Sequence, residues 1–158
     1  MAIAYRSHTS VTGSLTNNKP TGTADGDVLI NGEGAFDTTA IGQPAGWTEL
    51  ADQTIVGIRL ATAWKVASGE GASWTWTGGA AGSTIGGVVA FTGVDNTTPI
   101  NASTQRTNVS STTVTADPVT TTVADCMLVW IAQSSGGVIT VPSGMTERIS
   151  EDGGDYKV

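Results

Sequence analysis

The feature that most constrains the fold is a series of short apolar, β-branched runs broken by turn-forming residues. The runs are 27–30, 54–61, 62–67, 73–77, 87–92, 111–115 and 126–132. The breaks between them carry Gly, Pro, Asn and Asp, which favour turns, as at 19–22, 32–34, 43–46, 78–79, 117–118 and 136–137. No 3.6-residue periodicity persists long enough to predict a substantial helix. Many short strands separated by turns are typical of an all-β, antiparallel β-sandwich.

An internal repeat is the most specific pattern in the chain. The first copy pairs Asp27 and an apolar run with Pro44-Ala-Gly-Trp-Thr-Glu-Leu50, and the second pairs Asp125 with Pro142-Ser-Gly-Met-Thr-Glu-Arg148. From Asp to Pro the spacing is 17 positions in both copies (44 − 27 and 142 − 125). In each copy, Pro fixes φ and Gly permits a positive φ, so Pro-x-Gly predicts a tight turn. We expect the next residue, Trp47 or Met145, to enter the core and a strand to follow.

The repeat predicts one jelly-roll-like sandwich domain, residues 1–158, built from two half-repeats at about 20–98 and 118–158. The second half-repeat is shorter than the first, because few residues follow Arg148. Two explanations are that the chain lacks part of its C-terminal half and that a partner strand completes the sheet. The first is favoured, since an uncovered sheet edge invites aggregation.

Charge and hydropathy narrow the set of partners. The net charge is −7, and the seven basic residues are scattered, whereas binding to phosphates needs clustered Lys and Arg. We therefore expect no nucleic acid partner. No run approaches the ~20 apolar residues of a membrane-spanning helix, so no membrane insertion is expected. The N-terminal residues do not resemble a secretory signal, which fits a protein assembled in a host cytoplasm and equally a chain from which a signal has been removed.

The residues that could support catalysis do not form a recognisable constellation, so the sequence predicts no catalytic residues, no cofactor and no enzymatic activity. The single histidine, His8, has no acid near it and no activated nucleophile. The single cysteine, Cys126, lies in an apolar run and is expected to be a buried, inert thiol. Glu49 and Glu147 could form the acid pair of a glycoside hydrolase, but their equivalent repeat positions favour a structural role. The stretch Thr84-Ile-Gly-Gly-Val-Val89 lacks the lysine and spacing of a phosphate-binding loop.

Two groups of acids are weak candidates for calcium ligands. The first contains Asp25, Asp27 and Asp37, and the second contains Glu151, Asp152 and Asp155. Calcium requires several oxygen ligands close together, and no EF-hand loop is present. Solvated acids in turns are therefore the favoured interpretation, and no metal site is predicted.

The segment Ser73-Trp-Thr-Trp-Thr77 alternates cleanly, so Trp74 and Trp76 share one face of a predicted strand. Such a pair can form a stacking platform for a sugar ring. It is more often core, because a half-buried strand turns its large apolar face inward. The exposure of both rings decides between these interpretations.

Several phrases of the sequence resemble one family. They are Pro20-Thr-Gly-Thr-Ala-Asp-Gly-Asp-Val-Leu-Ile30, Pro44 to Leu50, Ala63-Trp-Lys-Val-Ala67, Val88-Val-Ala-Phe-Thr-Gly-Val-Asp95, Ala124 to Val129 and Pro142 to Glu147. Together they resemble tailed-phage virion surface proteins and related bacterial surface domains, over essentially the whole chain.

The resemblance implies a non-enzymatic structural protein on the virion surface, with capsid decoration ahead of a tail-fibre or adhesin-type module. Implied partners are the major capsid protein or other virion proteins, further copies of the chain (such proteins are often trimers) and, for the alternative, a host-surface glycan or receptor. The motifs are structural, so the resemblance carries over no catalytic residue and leaves any binding residues unknown.

Overall fold

The computed structural model describes residues 2–80, 82–109, 111–151 and 156–158. All regular structure in these residues is β-strand, which confirms the predicted all-β, sandwich-like class. The strands are β1 (Ala4–Thr12), β2 (Thr16–Asn18), β3 (Val28–Ala35), β4 (Thr48–Ile55), β5 (Ile58–Val66), β6 (Ser73–Thr75), β7 (Thr84–Thr92), β8 (Ala132–Gln133), β9 (Ser150–Glu151) and β10 (Tyr156–Lys157). In this part of the chain there is no helix long and apolar enough to cross a membrane.

The main sheet has five strands in the order β1-β7-β3-β5-β4, and every neighbouring pair is antiparallel. β3 lies at its centre and is buried along its whole length, as is nearly all of β7. Both faces of these strands are covered, which explains why the 87–92 run is almost continuously apolar instead of alternating. The centre of the sheet is thus a rigid core with a layer on each side.

One face of the main sheet packs against a two-stranded ribbon formed by β2 and β6, which we call the β2–β6 ribbon. The core on this side contains Leu29, Val88 and the buried rings of Trp47, Trp74 and Trp76. The turn predicted at Pro44-Ala-Gly46 is present, because Trp47 N donates to Pro44 O at 3.2 Å and Gly46 has a φ of 83°. Trp47 then enters the core and β4 begins at Thr48, as the motif predicted.

The opposite face carries a second core of Val28, Ile30, Val89 and Phe91, on which Ile149 packs. Ile149 belongs to the C-terminal part of the chain, where β8, β10 and β9 form a small antiparallel sheet. The second Pro-x-Gly motif forms the same turn as the first, with Met145 N donating to Pro142 O at 3.1 Å and a φ of 85° at Gly144. Met145 is only half-buried, however, and no strand begins directly after it.

Several local predictions are wrong. The 54–61 run is not one strand, since a turn at Val56-Gly57 divides it between β4 and β5. The run 111–115 forms no strand, and 126–132 has no regular structure before the strand that begins at Ala132. A strand exists only where a partner supplies backbone hydrogen bonds, and among the described residues neither 111–115 nor 126–131 pairs with a strand.

Two further predictions are wrong because strand pairing, and not local composition, determined the structure of these segments. Gly32-Glu-Gly34, predicted as a break, lies inside β3, where Gly32 is paired with both Thr62 and Gly87. Cys126, expected to be buried, is exposed because its segment lies outside the sheet.

Candidate functional site

The tryptophan pair of the predicted sugar platform is part of the core. Trp76 is 1% exposed, and Trp74 and Trp47 are also buried. The ring of Trp47 meets Trp74 and Trp76 edge-on, with centroids 5.3 Å and 5.2 Å apart. Edge-to-face contacts of this kind stabilise aromatic cores. The core interpretation is therefore confirmed, and neither face of this pair is open to a sugar.

A partly buried ion pair closes the edge of this aromatic cluster. Lys65 Nζ lies 2.6 Å from Glu70 Oε1 and about 6 Å from the centroids of the Trp47 and Trp74 rings. Trp74 Nε1 donates to Glu70 Oε2 at 3.0 Å. Burial opposes the ionisation of Glu70, but hydrogen bonds from Lys65, the backbone of Ser68 and Trp74 outweigh it and lower the pKa of this carboxyl. The pair holds the rings in place.

A polar cluster lies under the β2–β6 ribbon, in the middle of the apolar core. It contains Asn17 of β2 with Asn31 and Glu33 of β3, and Glu33 is 0% exposed. Asn17 Nδ2 donates to Glu33 Oε2 at 2.8 Å, and Asn31 Nδ2 donates to Gly87 O at 3.0 Å. Asn31 and Glu33 share a face because alternate residues of a strand point the same way.

Glycine makes room for this carboxyl. Gly86 is paired with Glu33 across β3 and β7, and a Cβ at position 86 would lie 2.6 Å from Glu33 Cδ and closer still to Oε2. Residues directly opposite each other in an antiparallel pair have side chains on the same face. The absence of a side chain at Gly86 is what allows a glutamate at the centre of the sheet.

The buried cluster has more acceptors than donors. Three of its oxygens have no hydrogen-bond partner: Asn17 Oδ1, Asn31 Oδ1 and Glu33 Oε1. Burial raises the pKa of Glu33 from 4.5 to about 7, although hydrogen bonds from Asn17 and Asn31 act in the opposite direction. Glu33 is therefore largely a neutral acid below neutral pH. Sequence reasoning missed Glu33 because it treated 32–34 as a turn. The glycines at 32, 34, 86 and 87 were the available signal, since glycine within a strand often marks a place where another group approaches the backbone closely.

The candidate calcium ligands of the first group serve separate turns. Asp25 Oδ1 accepts from Gly69 N at 2.8 Å, and Asp27 accepts from Ala24 N at 2.8 Å and pairs with Arg6 at 2.6 Å. Asp37 accepts from the backbone of Thr39 and Ala80, and the Thr39 bond is the main cause of its lowered pKa. The interpretation as solvated turn acids is confirmed for Asp25 and Asp37 and is wrong for Asp27, which is buried and paired with Arg6.

In the second group, Glu151 accepts hydrogen bonds from Ser10 and Thr12 of β1, while Asp152 and Asp155 lie outside the described residues. Within 2–80, 82–109, 111–151 and 156–158, no three His, Cys, Asp or Glu side chains form a group that could hold a metal ion.

The other candidate residues also lie apart from the buried cluster. His8 is exposed on the edge strand β1, and its Nδ1 is 2.7 Å from Tyr5 Oη. Glu49 and Glu147 are both exposed, and Glu49 accepts from Gln43 Nε2 at 2.8 Å. The 84–89 stretch is the buried start of β7 and not a loop.

A groove runs along the face of the main sheet opposite the ribbon. Its floor includes Val28, Ile30, Leu60 and Phe91, its wall is formed by residues of 99–109 and 111–136, and its volume is about 1360 Å³. An exposed ion pair between Arg106 and Asp117, 2.8 Å long, lies on this wall. The groove is predominantly apolar and is the candidate binding surface.

Comparison with known proteins gives no relative. No protein-family model, curated protein or solved structure matches the chain.

Proposed function

We propose that this chain is a non-enzymatic structural protein displayed on the surface of a tailed-phage particle, where it serves as a capsid decoration protein. The observation that carries the proposal is the apolar surface beside the groove. It is supported by the sequence resemblance. The phrases before position 96 fall mainly on β3, β5, β7 and the turn before Trp47, whereas 124–129 lies on the groove wall and 142–147 forms the second turn.

The apolar surface is concentrated in one segment. Of the seven large apolar side chains exposed among the described residues, six lie between positions 109 and 138, and five of these line the groove: Val109, Val114, Val123, Met127 and Leu128. Isolated apolar side chains on a surface need no explanation, but a concentration along one groove marks an interaction site. Leu128 is 63% exposed and Val123 is 57% exposed, so burial of these two side chains under a partner would lower the free energy of the complex.

The chemistry of the surface suits a protein partner. The 99–136 segment carries one basic residue, Arg106, and two acidic ones, Asp117 and Asp125, whereas the chain as a whole has a net charge of −7. A weakly charged, apolar patch on an acidic protein fits a capsid protein, another virion protein or a further copy of the chain. Interfaces of this kind have apolar centres depleted in charge.

The alternative function is a tail-fibre or adhesin-type module that binds a host glycan or receptor. The burial of Trp74 and Trp76 removes its clearest stacking platform. The alternative therefore depends on other residues of the groove or on a protein receptor, and it ranks second.

The first experiment is cryo-electron microscopy of the intact source particle. Density matching the five-stranded sheet on the capsid lattice supports decoration, and density on the tail or fibres supports the alternative. Purified particles that lack this polypeptide would refute both.

A matched pair of variants tests the surface itself. Leu128→Asp places a charge on the apolar segment, and Ala72→Asp places the same charge on an exposed position of the ribbon side, outside the groove. Each variant is added to particles grown without the protein, and the bound fraction is measured by sedimentation. We expect Leu128→Asp to lower binding at least tenfold and Ala72→Asp to leave it unchanged. Equal binding by both would show that the segment is not the contact surface.

A further inference from the structure

The buried cluster under the β2–β6 ribbon has no role in the proposed function. Four residues lie next to the Glu33 side chain. Asn17 of β2 donates a hydrogen bond to it, and Asn31 lies two positions earlier on the same face of β3. Ala61 of β5 and Gly86 of β7 are its partners in the neighbouring strands. No charged side chain of the described residues influences its ionisation; only burial and the two asparagines do. A carboxylate here would have no counter-charge, and isolated buried charges are strongly disfavoured.

The unpaired acceptor oxygens of the cluster indicate that it lacks a hydrogen-bond donor. Asn17 and Asn31 each place one amide N–H in a hydrogen bond, to Glu33 and to Gly87 O, while three acceptor oxygens of the cluster have no partner. One proton on Glu33 supplies a donor and removes the charge at the same time. A metal ion is the less suitable occupant, since it requires about six oxygen ligands and the cluster offers one carboxylate and two amides.

From this arrangement we propose that Glu33 is a proton-operated latch, which holds the β2–β6 ribbon on the main sheet when it is protonated and releases the ribbon when it ionises. Asn17 is the only ribbon side chain seen to hydrogen-bond Glu33, and it lies directly opposite Trp74 in the ribbon. An ionised Glu33 must reach water. The strands β2 and β6 pair with each other and not with the main sheet, so the ribbon can lift without breaking the strand pairing of that sheet, although lifting uncovers Trp74.

The direction of the pH effect follows from the raised pKa. The folded protein binds the Glu33 proton more tightly than the unfolded chain does, so the contribution to stability is complete below pH 4.5 and is lost as the pH rises to about 7. Because the pKa of Glu33 is raised from 4.5 to about 7, its full ionisation should lower the equilibrium constant between the closed and the lifted ribbon by roughly 300-fold.

The test is amide hydrogen exchange at about pH 5 and about pH 8, expressed as protection factors so that the intrinsic pH dependence cancels. The reporters are Thr77 N, which donates to Gly42 O, and Gly42 N, which donates to Thr77 O, because these bonds join the end of the ribbon segment to the chain outside the ribbon; amides between β3 and β5 are the internal reference. We expect ribbon protection to fall at least tenfold at the higher pH while the reference changes much less. An equal loss at all sites, or none, would overturn the latch.

Two variants assign the effect to the carboxyl. Glu33→Gln keeps the shape and replaces the proton by an amide donor, so its ribbon protection should not depend on pH. Glu151→Gln removes a carboxylate at the β1–β9 contact and should behave like the wild type. Both variants retain His8, so a pH dependence that persists in Glu33→Gln would belong to another group and would contradict the proposal.

Two measurements on the wild type keep the proposal testable if Glu33→Gln does not fold. Infrared spectra should show a carboxylic acid C=O band for a protonated, buried acid at about pH 5 that is absent at about pH 8; no such band would refute the proposal. Sodium chloride or calcium chloride added at the higher pH should not restore ribbon protection beyond the effect of an equal ionic strength of tetramethylammonium chloride. If sodium or calcium alone restored the protection, the group that stabilises the cluster would be a metal ion and not a proton, and the proposal would be refuted.

Discussion

The substitution Gly86→Ala is the sharpest test of how the centre of the sheet is built. The new Cβ would lie 2.6 Å from Glu33 Cδ, so the carboxyl has to move away from Asn17. Overpacking a core costs about 1–3 kcal/mol and the lost hydrogen bond about 1 kcal/mol. Since Gly86 does not have a positive φ, no backbone strain is added. We expect a loss of about 2–4 kcal/mol in the free energy of unfolding.

The double variant with Glu33→Ala distinguishes a steric clash from a general intolerance of alanine. Without the carboxyl, the new methyl group fills vacated space, and alanine in a strand is favoured over glycine by about 0.5–1 kcal/mol. Gly86→Ala should then be neutral or stabilising, which gives a coupling energy on the order of 3 kcal/mol. The assay is urea unfolding followed by tryptophan fluorescence, at about pH 5, where Glu33 is neutral.

The control is the neighbouring substitution Gly87→Ala. Its Cβ would lie 2.6 Å from Ile149 Cδ1 and 2.7 Å from Thr9 O, on the other face of the sheet. It should destabilise the protein whether or not Glu33 is present. If the effects of Gly86→Ala and Glu33→Ala add to within about 0.5 kcal/mol, the proposed packing of the carboxyl over Gly86 is wrong.

Three further predictions concern single groups. Asp27→Asn removes the charge that pairs with the partly exposed Arg6 and should lower the free energy of unfolding by about 2 kcal/mol, the value of a hydrogen bond to a charged group, measured by urea unfolding at neutral pH. The wild type should lose about 3 kcal/mol of stability between pH 4.5 and about 7, and Glu33→Gln should abolish this loss in the same assay; a stability that increases over this range would contradict the raised pKa of Glu33. The exposed Cys126 should react with a disulfide reagent in the native protein as fast as in urea, and strong protection in the native state would show that its segment is covered.

Local sequence patterns determined the features that depend on few neighbouring residues. The β-branched runs and their breaks predicted an all-β fold, because strand and turn preferences are local. Pro44 and Gly46 predicted the turn that delivers Trp47 into the core, and alternation placed Trp74 and Trp76 on one buried face. Gly144 confirms the same turn in the second copy.

Only the tertiary structure decided which residues found partners. Gly32 and Gly34 have the composition of a turn, yet pairing with β5 and β7 makes them the centre of a sheet. The burial of Glu33 depends on Gly86, more than fifty positions away in the sequence. The 126–131 run has the composition of a strand but pairs with no strand in the described part of the chain. Strand pairing, and hence burial, is a property of distant segments that meet in space, which no local pattern encodes.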